Sequence, residues 1–202
     1  MAFNNNVFIN CPFDPDYKVL LNPIFFTILF LDLTPLISET NDSGSVRVNN
    51  IKKLIQKCKY SIHDISRCEA LKKNKLPRFN MPFELGIDIG CQTFSLKTKR
   101  NLILEKEPYR YQKVLSDISG QDIKNHNNDP EELVLNLRNW FSLVLKKNLI
   151  AGSKIWTAYN EFIFDFTNQM KKEGFKKKDI ESLPKSNLIR YMKAWLSGRP
   201  II

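Results

Sequence analysis

The chain has 202 residues, 43% of them hydrophobic, with 31 Lys or Arg against 21 Asp or Glu for a net charge of +10. That length and apolar content suffice for one sizeable core, with room for a small second module, and exclude disorder as the main theme. The longest apolar run, residues 23–31, is too short to cross a bilayer, and the opening MAFNNN lacks the regions of a signal peptide, so a soluble cytoplasmic protein with no membrane partner is expected.

NVFIN, residues 6–10, has the β-branched and aromatic content of a strand and runs into the turn-rich CPFDPDY. Asp16 is placed to cap a helix over 17–31. TPLIS, 34–38, reads as a second strand, followed by the polar loop ETNDSGS. Residues 46–59 form an amphipathic pattern with Val48, Ile51, Leu54 and Ile55 inward, and YSIHDIS, 60–66, is a third strand with a structural His63.

After the charged loop CEALKKNKLP comes RFNMPFELGIDIG, whose apolar alternation also fits a strand. Pro82 and the Gly86, Gly90 pair at i, i+4 favour a helix lying close against a sheet. Glu84 then falls in its first turn, behind Asn80 or Met81 as cap. Acids in first turns also simply oppose the helix dipole, so that structural reading stands beside any chemical one. RNLILE, 100–105, is the fourth strand, a short fifth is expected near 120–123, and Asp129 caps a helix over 130–147.

This alternation predicts an α/β fold with a parallel sheet of about five strands covered on both faces, in a domain spanning 1–149. Residues 150–202 form a helical extension. In it Ile155, Tyr159, Phe162, Phe166 and Met170 line one helix face, and Leu188, Tyr191, Met192 and Trp195 line a second helix over 185–196. Packing onto the main domain is the ordinary expectation. The alternative is a surface for a partner protein or a second copy.

The extension holds ten basic and five acidic residues, leaving the rest of the excess spread over the longer N-terminal part. Only Lys176, Lys177 and Lys178 form a run, which reads as a solvated helix start or loop. Such a spread argues against nucleic acid, and a general attraction for anionic metabolites or phosphate explains the charge as well. Four separated cysteines and two histidines, His63 and His126, suggest neither zinc nor a disulfide framework. With 7 glycines there is no dinucleotide fingerprint, P-loop or nucleophile elbow. A nucleotide would be held by side chains and loop backbone.

Parallel sheets take ligands beyond the carboxyl ends of their strands. Those ends carry residues 11–17, 39–45, 64–67 and, after the third strand, 80–84. VFINCPFD, SIHDIS and NMPFELGIDIG resemble the corresponding blocks of the nucleoside 2-deoxyribosyltransferase superfamily and of bacterial TIR-like (Toll/interleukin-1 receptor-like) domains. The resemblance covers roughly residues 6–105, and with its helical tail the chain also resembles TIR-like proteins of bacterial antiphage defence.

The resemblance implies a flavodoxin-like fold and a glutamate that cleaves an N-glycosidic bond, at the position Glu84 occupies. The expected activity is NAD glycohydrolysis, with NAD as substrate and no cofactor or metal. A nucleoside 2-deoxyribosyltransferase or nucleotide N-glycosidase is the first alternative, and a non-enzymatic nucleotide sensor the second. Glu84 is read as nucleophile or electrostatic stabiliser and Asp64 as orienting a ribose hydroxyl. Phe13 and Tyr17 are candidates to stack on a base, with Asn10, Asp14, Ser43, Ser66 and Asn80 as further binding residues. No catalytic histidine is needed, because cationic nicotinamide leaves without a strong acid. Arg47, Arg67 and Arg78 read as solvated arginines or phosphate contacts.

Overall fold

In the computed structural model, residues 2–38, 46–68, 77–95 and 97–198 are described. Five strands, β1 (Asn6–Asn10), β2 (Thr34–Ile37), β3 (Tyr60–Asp64), β4 (Arg100–Glu105) and β5 (Lys124–Asn125), form one sheet in the order β2-β1-β3-β4-β5. All pairings are parallel, with Val7 opposite Tyr60 and Tyr60 opposite Arg100. The fold is a flavodoxin-like α/β fold with a C-terminal helical region. The helices are α1 (Ala2–Asn5), α2 (Lys18–Phe30), α3 (Arg47–Lys57), α4 (Asn80–Phe94), α5 (Pro130–Leu145), α6 (Gly152–Lys172), α7 (Lys177–Glu181) and α8 (Lys185–Leu196). None of the described helices is long and apolar enough to cross a membrane.

Alternation along the central strands divides the core. Val7 and Ile9 of β1, Tyr60 and Ile62 of β3, and Leu102 and Leu104 of β4 join the large cluster built with α2, α5, α6 and α8. Phe8 turns to the other face, against Ile51, Ile55 and Cys58. Ile103 packs there with Met81 and Leu85 of α4. Both faces are covered, so every residue of β1 and β3 is buried.

The C-terminal helices share the main core. Phe162 stacks on Phe26 of α2 and on Phe166, and Trp195 approaches both Phe26 and Phe162 while its indole N–H donates to Asp165 at 2.9 Å. Trp156 stacks on Tyr159, and Trp140 meets Tyr60 edge-on. The predicted apolar face Ile155, Tyr159, Phe162, Phe166, Met170 is buried inside the chain. At the start of α6 Gly152 lies against α5, where an added Cβ would stand 3.3 Å from the Leu135 Cα. Only glycine admits that approach without displacement.

Several local expectations are corrected. Asp16 caps nothing: a 3-10 turn over Pro15–Tyr17 precedes α2, and Asp16 pairs with Arg67 at 2.7 Å. The fifth strand lies at Lys124–Asn125 instead of 120–123, because its pairing needs only Leu104 and Glu105. The cap of α4 is Phe79, with no side-chain hydrogen bond, instead of Asn80 or Met81, so Glu84 sits beyond the first turn. Gly86 does not approach the sheet, since among the described residues nothing lies within 4 Å of where its Cβ would be. Asp129 does cap α5, accepting from the N–H groups of Glu131 and Glu132 at 2.8 and 3.2 Å.

Candidate active site at the switch point

β1 is hydrogen-bonded to β2 on one side and β3 on the other, so the chain winds away in opposite directions at its end. Such a switch point opens a crevice beyond the carboxyl ends of the strands. A cavity of about 140 Å³ lies there. Asn10, Cys11, Pro12 and Phe13 line it from β1 and the following loop, Ser38 from the end of β2, Arg47 from α3, and Arg78, Asn80, Met81 and Glu84 from the start of α4.

Glu84 is 6% exposed. Burial pushes its carboxyl up to about 7, and the positive charge of Arg47 offsets part of that effect. Because Glu84 lies past the first turn of α4, the helix-dipole explanation for an acid at this position does not apply. A carboxyl raised in this way in a cavity wall makes Glu84 the candidate reacting group of the crevice.

Asn10 fixes the helix that carries it. Its amide donates to the Met81 carbonyl at 2.8 Å and to His63 Nδ1 at 2.9 Å. His63 Nε2 then donates to Asp88 at 3.0 Å, one turn beyond Glu84. Asp88 also lies 3.2 Å from the buried Lys99 ammonium, which donates to the Ile55 and Cys58 carbonyls. Burial opposes ionisation of Asp88, but His63 and Lys99 outweigh it and hold its carboxyl below the usual range. The chain of contacts pins α4 to β1, β3 and the residue that precedes β4.

Of the remaining expected site residues, Phe13 and Asn80 line the cavity. Asp14 stands behind it, paired with Arg78. Tyr17 and Asp64 belong to a buried cluster: the Tyr17 hydroxyl donates to Asp64, the Ser66 N–H donates to it at 2.8 Å, and His126 Nε2 stands 3.0 Å away. Burial alone would raise the Asp64 pKa, yet these contacts hold it below the ordinary value. Tyr17 is 1% exposed and has no face open for stacking. Ser66 is buried, with its carbonyl accepting from Arg110, and does not line the cavity. Ser43 lies outside the described residues.

Sequence reasoning missed Ser38 and Cys11 as lining residues and left Arg47 and Arg78 undecided. The Ser38 hydroxyl is buried without a hydrogen-bond partner among the described residues. Its position at a strand end was the available signal. The Cys11 thiol is pushed well above its ordinary value by burial and by Asp64, which leaves it protonated and a poor nucleophile. A larger cavity, about 480 Å³, lies among α2, α6, α7 and α8, and among the described residues its walls hold no buried carboxylate.

The fold and this crevice define a flavodoxin-like α/β protein with an acid and two arginines at the switch point. No family model matches the chain, and no curated protein matches it.

Proposed function

We propose that this protein hydrolyses an N-glycosidic bond, with NAD as substrate and Glu84 as the reacting carboxylate. The observation that carries the reading is the Glu84 carboxyl itself, nearly removed from solvent, raised to about 7, and walling a cavity shared with Arg47 and Arg78. A space of about 140 Å³ is close to the ~150 Å³ that admits a ring the size of benzene. The cavity therefore suits one ring of the nicotinamide riboside half, with the diphosphate running toward Arg47 at the rim.

Cleavage of the C1′–N bond sends its electron pair to the pyridinium nitrogen, so nicotinamide leaves neutral. Ionised Glu84 meets the positive charge left on the sugar, either by bonding to C1′ or by electrostatic contact. Water then adds at C1′, displacing the Glu84 carboxylate where it had bonded there, and its proton passes to Glu84 or to solvent, giving ADP-ribose. Ser38 and Asn80 supply hydrogen bonds to sugar hydroxyls. The resemblance to TIR-like domains supports the same chemistry, in an effector of antiphage defence. Asp64, enclosed by Tyr17, Ser66 and His126, acts in this reading as a structural anion.

The test is chromatography of NAD, nicotinamide riboside and deoxynucleosides incubated with the protein. Nicotinamide release that falls about 10²- to 10³-fold in Glu84→Gln supports the proposal. Turnover of wild-type protein should rise with pH and level off above about 7, as Glu84 ionises. Arg47→Ala should raise KM about tenfold for NAD but not for the riboside, since only NAD carries the diphosphate, and should move the pH profile of both substrates upward because Arg47 no longer lowers the Glu84 carboxyl. Base release from deoxynucleosides with NAD intact would replace the reading with a deoxyribosyltransferase or nucleotide N-glycosidase. Nucleotide binding without turnover, indifferent to Glu84→Gln, would replace it with a sensor.

A further inference from the structure

Two polar residues at the inner end of the crevice are set side by side by strand register. Ile9 of β1 is paired with Ile37 of β2, so the residues that follow, Asn10 and Ser38, are neighbours one strand spacing apart, about 5 Å. Side chains alternate along a strand, and Phe8 and Leu36, two residues earlier, both pack against α3 in one apolar cluster. Asn10 and Ser38 therefore turn to that face, and both line the cavity walled by Arg47 and Glu84.

Each brings an unused polar atom. Ser38 is 6% exposed, and its hydroxyl has no hydrogen-bond partner among the described residues, a costly state for a buried group that only a bound molecule relieves. The Asn10 amide is fixed from behind. Asp88 is ionised beside His63 Nε2, which therefore carries the ring proton and leaves Nδ1 as an acceptor. Nδ1 and the Met81 carbonyl then take both N–H groups of Asn10. Turning the amide over would set its oxygen against two acceptors. That oxygen accepts no hydrogen bond among the described residues, and it is not sealed from the cavity Asn10 lines.

We propose that Asn10 and Ser38 together hold the neighbouring hydroxyls of a ribose ring, so that the crevice selects ribonucleotides over their deoxy counterparts. The inference rests on the reading of Glu84 given above: the cavity has room for one ring, and the ring that meets Glu84 is the one bearing C1′. The Asn10 oxygen can only accept, which disfavours a carboxylate or phosphate and suits a hydroxyl as donor, while the Ser38 hydroxyl both donates and accepts. His63 and Asp88 are positioning residues, because they decide which edge of the Asn10 amide faces the sugar.

The test is calorimetric titration of the Glu84→Gln protein, which turns NAD over too slowly to matter, with NAD and with its 2′-deoxy and 3′-deoxy analogues at the nicotinamide ribose. NAD should bind about tenfold or more tightly than either analogue. Ser38→Ala in the same background should weaken NAD about tenfold and leave one analogue as it was, with melting unchanged because the hydroxyl has no partner in the protein. Asn10→Ala, checked for folding by urea unfolding, should abolish the preference against the other analogue; where it fails to fold, Ser38→Ala decides. Equal binding of the three nucleotides overturns the proposal, and so does a Ser38→Ala variant that keeps both preferences. Nicotinamide release without a hydroxyl preference sinks this inference alone, whereas the preference without release upholds it and sinks the hydrolase reading. A protein that binds none of the three overturns both.

Discussion

Glu84 stabilises the fold only while it is protonated. Its ordinary value is 4.5 and its value in the folded chain is about 7, so at intermediate pH the folded state binds more protons than the unfolded one. The corresponding stability is fully present below about 4.5 and is lost as pH rises through about 7. The difference corresponds to about 3 kcal/mol at pH 8. Glu84→Gln should therefore be more stable than the natural chain in urea unfolding at pH 8 by up to about 3 kcal/mol, with the gap closing toward pH 4.5. A variant that is both more stable and inactive separates a working group from a structural one. Asp64 has the opposite sign: its folded value is lowered, so its contribution is present above the unfolded value and lost as acid drops the pH through the folded one. Asp64→Ala leaves His126 and Tyr17 without their shared acceptor, and unfolding should show a loss of about 3–5 kcal/mol.

At the scale of elements, the Asn10 amide joins the end of β1 to the first turn of α4. Asn10→Ala removes the donor to both Met81 and His63, and should cost about 1–3 kcal/mol in urea midpoint experiments. β1 and β4 have the bounds that their β-branched and aromatic runs predicted, as do the two long C-terminal faces. Those elements carry their own periodicity. The start of α4 was misplaced because its cap, Phe79, uses no side chain, so the usual polar signal is absent. β5 is two residues long and held by its neighbour's backbone, which leaves almost no local signature. Among site residues, Asn10, Phe13, Asn80 and Glu84 converge because each sits at a strand end or the helix start beside it. Tyr17 and Asp64 bear the same local marks, yet His126, far along the chain, draws Asp64 into a separate buried cluster. Pairing over that separation leaves no trace in local pattern.

Across the molecule, the helices after residue 150 complete one face of the sheet's covering. Phe162 is fully buried between Phe26 and Trp195. Phe162→Ala should cost about 3–5 kcal/mol, read by thermal or urea unfolding as one cooperative transition shared with the sheet. Removal of the extension would bare Phe26 and its neighbours, and the shortened chain is expected to aggregate on expression.

All three tryptophans, Trp140, Trp156 and Trp195, sit in α5, α6 and α8. Tryptophan emission therefore reports on the helical layer alone, and the crevice around Glu84 holds no tryptophan. A Phe13→Trp substitution would place a fluorophore at the crevice mouth, so that occupancy by a nucleotide and melting of the far layer could be followed as two separate signals from one sample.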